Sequence, residues 1–269
     1  MPDPVVVQKV VSENISDSSL QILFTPSQHG HLIIASNDKE LMGLWEIQDS
    51  TYQDSVLFIK NIVSSYHCKI HQVKYFLKND LCMPVPDGLF DLTLKNLFHK
   101  IFLHNDFPLT EHKIFSKARM HFIFKDHPSS FIDSTKIVHH FHFTELITRH
   151  AYFIKDPDML LFHVENSFLF YVIKQNHEIV IATQEKISQW SDVIYFLHFA
   201  LEKLQLDKND MTFYLSAPSQ IKNSLINDSK DLLPFLNDPP LILPIDVSLL
   251  NNEQKNDIAL ILTGMLCES

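Results

Sequence analysis

The chain reads as one series of elements written twice, and that repetition limits its possible folds more than any single motif does. Three runs rich in Val, Ile, Phe and Tyr, at residues 160–164, 168–174 and 178–183, are separated only by short polar turns. That is the pattern of an antiparallel meander. A helical stretch over 191–206 follows, apolar at Val193, Ile194, Leu197, Ala200, Leu201 and Leu204, and then a strand over 211–217. The first half has the same order, with strands at 20–26, 31–37 and 40–47, a helix at 51–66 and a strand at 71–77. Phe24 corresponds to Phe162, Ile34 to Val172 and Val73 to Phe213. The offset is roughly 140 residues throughout, one domain length.

Each half is therefore β-β-β-α-β, with the helix crossing over to a fourth strand parallel to the first. This is the ribonuclease H-like order, and the fold class is α/β with mixed sheets. Outside the repeat, residues 91–102, 129–134 and 219–235 read as helices and 117–125 and 136–143 as strands. A helix is expected over 144–151 with Thr144 as its cap, and a closing helix over 252–267. Residues 241–246 read as a short strand that Pro244 would hold near a sheet edge. The segment 154–158 is the expected boundary, dividing the chain into 1–154 and 155–269.

Composition excludes several classes. A formal net charge of -10 argues against broad electrostatic binding to nucleic acid or anionic lipid. No apolar run approaches the ~20 residues of a membrane span, and the N-terminal stretch lacks the basic start and apolar core of a signal peptide. Cys68, Cys82 and Cys267 form no CxxC pair, which fits buried thiols in a reducing compartment, and the expected location is the cytoplasm. Only four glycines occur: Gly30, Gly43, Gly88 and Gly264. Phosphate-cradling loops need glycine for close backbone approach, and no GxGxxG, GxxxxGK[ST] or GxSxG pattern exists here.

The segments "LLFHVENSFLFYVIKQNHEIVIATQ", "DVIYFLHFALEKLQLDKNDMTFYLSA" and "PVPDGLFD" give the chain a recognisable likeness. It resembles an uncharacterised bacterial family, a domain of unknown function with an actin-like ATPase fold. The resemblance covers most of the chain and implies two ribonuclease H-like halves around a cleft. It attaches no activity. Its relatives with roles, by analogy of fold, are bacterial actin-like proteins of cell division and pilus assembly. Fold analogy does not carry function.

The resemblance also implies where chemistry should sit. Actin-like ATPases carry an Asp–apolar–Gly phosphate turn between strands one and two of each half. The matching segment in the first half is Thr25-Pro26-Ser27, with Gly30 able to form a tight turn close by. Pro26 lacks the N–H that a phosphate would use. In the second half the segment is His163-Val164-Glu165, followed by Asn166, and Glu165 places a negative charge where glycine would stand. Relatives that bind adenosine have a Gly-Gly pair after the fourth strand of the second half; here Ser216 and Ala217 precede a proline. Loss at all three places argues against magnesium-dependent ATP hydrolysis. No catalytic residue, cofactor or metal ligand is assigned.

Other signals are weighed against plainer explanations. His140 and His142 would share one face of a strand, a spacing zinc sites use, with His139 beside them. Without a third ligand, a partly exposed strand burying Phe141 and Phe143 on its other face is the better account. His163 and His198 read as packing residues. The acids Glu165, Asp246 and Asp257 are too scattered for a two-metal nuclease. The closing helix has a wide apolar face, expected to be buried between sheets rather than to dock a partner. The expectation is a non-catalytic scaffold with an unknown protein partner. The alternatives are a nucleotide or phosphorylated-ligand sensor using the cleft and, more weakly, a metal-dependent nuclease.

Overall fold

The computed structural model describes residues 5–16, 18–27, 29–78, 82–91, 93, 96–97, 110–125, 138–165, 167–203, 210–217, 222 and 236–266. The expected helices at 91–102, 129–134 and 219–235 lie wholly or largely outside the described residues.

The first sheet contains β1 (Val6–Val11), β2 (Ser19–Ser27), β3 (Gly30–Ser36), β4 (Leu41–Gln48), β5 (Lys69–Leu77) and β9 (Val138–His142), in the order β1-β4-β3-β2-β5-β9. The second contains β10 (Met159–Glu165), β11 (Phe168–Gln175), β12 (Glu178–Lys186), β13 (Thr212–Ser216) and β14 (Leu236–Asn237), in the order β12-β11-β10-β13-β14. In each sheet the meander is antiparallel and the crossover strand runs parallel to the first strand: β5 beside β2, β13 beside β10. Apart from β1, the two sheets have the same order, so the repeat in the sequence is a repeat in space. A third, antiparallel sheet, β6-β8-β7, uses β6 (Cys82–Pro86), β7 (Thr110–Phe115) and β8 (Met120–Lys125), all inserted between β5 and β9.

The crossover helices form for local reasons. In α1 (Tyr52–Tyr66) Thr51 and Asp54 make a reciprocal capping box, and Ser55, Val56, Ile59 and Ile62 are buried on one stripe. His67 ends the helix in a left-handed conformation. In α3 (Trp190–Lys203) the carboxylate of Asp192 accepts from the amides of Ser188 and Gln189 at 2.8 and 3.1 Å, and Val193, Leu197 and Ala200 are buried. Those three pack into the core of one face of the second sheet, with Leu160, Phe162 and Tyr171.

The final helix of each half packs across to the other. α2 (Phe143–Phe153) leaves the first sheet at β9 and lies on β11 and β12. α4 (Asn252–Leu262) continues into a 3-10 turn, Thr263–Leu266, that packs back on β2. Each helix end meets a buried lysine of the opposite sheet. Lys74 of β5 donates to the carbonyls of Gly264 and Met265 at 3.2 and 3.5 Å. Lys174 of β11 donates to those of Ala151 and Ile154 at 3.2 and 2.5 Å. Both lysines are 1% exposed. A cation facing the last carbonyls of a helix satisfies orphan acceptors and the negative end of the dipole together. His150 Nδ1 and the Thr263 hydroxyl, 3.0 Å apart, join the two helix ends.

Several sequence expectations need correction. Residues 241–246 form no strand; the segment makes one parallel bridge, Glu40 to Asp246. Pro244 within it has no N–H to give to a ladder. The strand expected at 117–125 starts at Met120, after a 3-10 turn over Ser116–Ala118. The strand holding His139, His140 and His142 lies at the edge of the first sheet and is more enclosed than expected: His140, Phe141 and His142 are buried, and His139 alone of these keeps partial exposure. Its helix starts at Phe143, and the cap is His142, whose Nδ1 accepts from the Thr144 amide at 3.1 Å, not Thr144 itself. The closing helix stops at Leu262 and tightens into the 3-10 turn, while Cys267 lies outside the described residues. β1, β6, β7 and β14 have no counterpart among the sequence expectations.

Candidate functional site

The β2–β3 and β10–β11 hairpins are tight turns, with Ser27 pairing Gly30 and Glu165 pairing Phe168. Each lies at the end of the sheet where the parallel neighbour, β5 or β13, also ends. In the first hairpin Thr25 is buried and its hydroxyl donates to the Phe76 carbonyl at 3.0 Å. Ser27 donates to Glu46 Oε1 at 3.2 Å. Gly30 has φ 152°, and a Cβ there would lie 1.9 Å from the Ile47 carbonyl oxygen. Its glycine serves the approach of the hairpin to β4, so it needs no ligand to account for it.

In the second hairpin the side chains make one connected cluster. His163 Nδ1 lies 2.9 Å from the Ser216 hydroxyl, and its Nε2 lies 3.3 Å from Glu165 Oε2. Glu165 Oε2 also receives Lys78 Nζ at 2.5 Å. Lys78 follows β5 of the first sheet and donates as well to the Pro26 carbonyl at 2.7 Å. The ring of Phe143 lies beneath, 4.4 Å from the Lys78 ammonium and 5.3 Å from the His163 ring. The cluster thus joins both hairpins, the end of β5 and the start of α2. A His163 protonated on Nε2 donates to Glu165 and accepts the Ser216 proton on Nδ1, which leaves every member paired. Ala217 is half-buried against the α3-facing core, and Asn166 lies outside the described residues.

The electrostatics follow from enclosure. Burial pulls Lys78 below the usual lysine range, against the opposing pull of Glu165. Burial would raise Glu165, but Lys78 and His163 together outweigh it and hold the carboxyl at about 2. Glu165 is therefore an anion at neutral pH. A phosphate arriving between the hairpins would meet that carboxylate and a proline without an N–H. The Lys78 ammonium is already held by Glu165 and by a main-chain carbonyl.

Elsewhere, the candidate ligands are occupied. The Tyr52 hydroxyl lies 2.9 Å from His140 Nε2, and His142 caps α2. Among the described residues no group of three or more His, Cys, Asp or Glu is arranged to hold a metal ion. Asp246 sits in its isolated bridge, Glu165 pairs with Lys78, and the side chain of Asp257 lies outside the described residues. Sequence reasoning missed Lys78. A lysine just past a strand normally signals a solvated turn, and only the parallel pairing of β5 with β2 brings it under the hairpin.

Solved structures align along nearly the whole chain, and two of them show its fold. One is a Bacteroides thetaiotaomicron protein with an actin-like ATPase fold and unknown function, at 14% identity and a TM-score of 0.66, covering 97% of this chain and 100% of that one. The fold is that of the actin-like ATPases. The other is the PilM–PilN type IV pilus biogenesis complex, at 12% identity and a TM-score of 0.54, covering 93% of this chain and 99% of that one. No protein-family model and no curated protein matches the sequence. Among the described residues no helix is long and apolar enough to cross a membrane.

Proposed function

We propose that this is a non-catalytic protein of the actin-like fold that works by binding a protein partner, its cleft held together by side chains instead of by nucleotide. The observation that carries this reading is the contact of Lys78 with both Glu165 and the Pro26 carbonyl, which bridges the two hairpins that grip phosphate in nucleotide-binding relatives. The lobes on this reading are 1–154 and 155–269. A cytoplasmic setting fits the unpaired Cys68 and Cys82. A protein partner fits the likeness to PilM, solved as a complex with PilN.

The test is a thermal melt of the full chain with millimolar ATP, ADP or GTP and magnesium, run beside a phosphate-release assay. The expected result is no rise in midpoint and no turnover above background. Magnesium-dependent turnover that Glu165→Gln abolishes would overturn the reading. A rise in midpoint without turnover would make the cleft a nucleotide sensor.

A further inference from the structure

The first sheet has one open edge. β1 pairs with β4 on one side, and among the described residues no strand lies beyond it. We propose that two copies of this chain pair there, β1 against β1, antiparallel about a two-fold axis at Val7, so that their first sheets become one. The proposal goes beyond the interaction reading above and stands apart from it.

The strand is apolar where an edge is normally defended. Residues 5–11 read VVVQKVV. Val10 and Val11 pack on the first core, but Val5, Val6 and Val7 are 60, 43 and 37% exposed, and consecutive residues point to opposite faces. Consecutive bare valines beside an unpaired row of main-chain groups make a template for another strand. The other sheet edges among the described residues are blunted. β9 is buried along most of its length, β12 is bulged and lies against β6, and β14 has two residues. β6 carries Pro84 and Pro86, and β7 carries Glu111 and Lys113. Within this chain, the strand fit to receive β1 is therefore β1 of a second copy.

The backbone fixes the register. The Val5 carbonyl accepts from the Gln48 amide at 2.9 Å, and Val6, Val7 and Gln8 stand opposite Ile47, Glu46 and Trp45. Antiparallel pairs alternate between bonded and non-bonded, so Val5 and Val7 turn their main-chain groups toward β4 while Val6 and Gln8 turn theirs away. A two-fold at Val7 sets Val6 opposite Gln8 of the second copy, and every outward group of both residues meets its complement. Centring on Val6 would face Gln8 with Pro4, which has no N–H. Centring on Gln8 would face Val6 with Val10, past the bulge that follows Gln8. About Val7, the two Val7 residues form a non-hydrogen-bonded pair, where side chains come closest. Lys9, the one charged residue of the strand, stands opposite Val5 and not opposite its own copy, so no like charges meet.

One short strand pair buries little area, so the dimer should be weak, with a dissociation constant of about micromolar or above. Sedimentation equilibrium on the full chain, taken up to its solubility limit, should show monomer in exchange with dimer. Val7→Lys sets two ammonium groups face to face, and Val6→Pro removes an outward N–H that the monomer does not use. Each should weaken the dimer by about tenfold or more. Both positions are exposed, so melting midpoints of the dilute variants should match the original chain. Under oxidising conditions Val7→Cys should link its dimer by a disulfide, because a non-hydrogen-bonded pair holds its Cα atoms about 4.5 Å apart. Val5→Cys should not, and the unaltered chain gives the background from its native cysteines. A monomer at every concentration, a dimer indifferent to Val7→Lys, or no cross-link in Val7→Cys would overturn the proposal. A monomeric chain would leave the non-catalytic reading standing, and ATP turnover would remove that reading without touching the dimer.

Discussion

Compare the hairpin ends of the two lobes. Both are tight turns at the same place in the same strand order, yet their polar groups differ in kind. The first offers a main-chain acceptor, the Pro26 carbonyl, with a cation below it at Lys78; the second offers an anion, Glu165, steadied by His163 and Ser216. The two frames are alike in strand order, and complementary charges hold them to each other. The helix ends show the opposite pattern, for there the two lobes use the same device. Lys74 and Lys174, both buried, each close the last turn of the other lobe's final helix. The two regions separate what keeps the fold together, which is symmetric, from what occupies the cleft, which is not.

The largest effects should come from the symmetric pair. Lys174→Ala and Lys74→Ala each leave two buried carbonyls without a donor and open a cavity, at a cost of about 3 kcal/mol apiece. Urea unfolding checks this, and a large difference between the two would break the symmetry argument. The cleft pair comes next. Glu165→Gln or Lys78→Met should each cost about 2 kcal/mol, because each leaves a buried partner charge uncompensated. The double variant should cost less than the sum. Hydrogen exchange should quicken in both hairpins together, and exchange in one alone would show that the cluster does not couple them.

Acid should separate the two regions by pH. The His150 imidazole, buried at the helix junction and beside His163, is pushed down to about 4 from an ordinary 6.5. The unfolded chain binds that proton first, so the stability His150 contributes is whole above 6.5 and is lost as pH falls to about 4. Glu165, held at about 2 against an ordinary 4.5, contributes stability that is lost only as pH falls from 4.5 toward 2. Melting midpoints across pH should show the upper loss flattened in His150→Asn and the lower loss flattened in Glu165→Gln. The smallest effect concerns the crossover helices. Thr51→Ala and Asp192→Ala each remove an N-terminal cap and should cost about 1 kcal/mol by denaturant titration.

The doubled core was legible because it rests on local rules. Alternating β-branched residues, caps such as Thr51 with Asp54, and apolar stripes such as Val56, Ile59 and Ile62 need no knowledge of distant neighbours. The inserted sheet was harder to read. β6 carries Pro84 and Pro86, which demote it as a strand on sequence grounds, yet it sits at a sheet edge where missing donors cost little. The histidines at 139, 140 and 142 raise a metal face in sequence because a strand's periodicity says which residues share a side, and only the want of a third ligand argues against it there. That periodicity cannot say that Tyr52 and the amide of Thr144 already hold two of them.

The sequence alone determined the order of elements, the repeat and the shortage of glycine at the phosphate turns, since each is a property of neighbours along the chain. The tertiary structure alone decided what fills those turns. Lys78 and Glu165 are 87 residues apart and meet only because β5 runs parallel to β2 while the two lobes exchange their final helices. A charge looks solvated in sequence until its counter-charge is brought beside it, and that pairing belongs to packing between lobes, which no local pattern encodes.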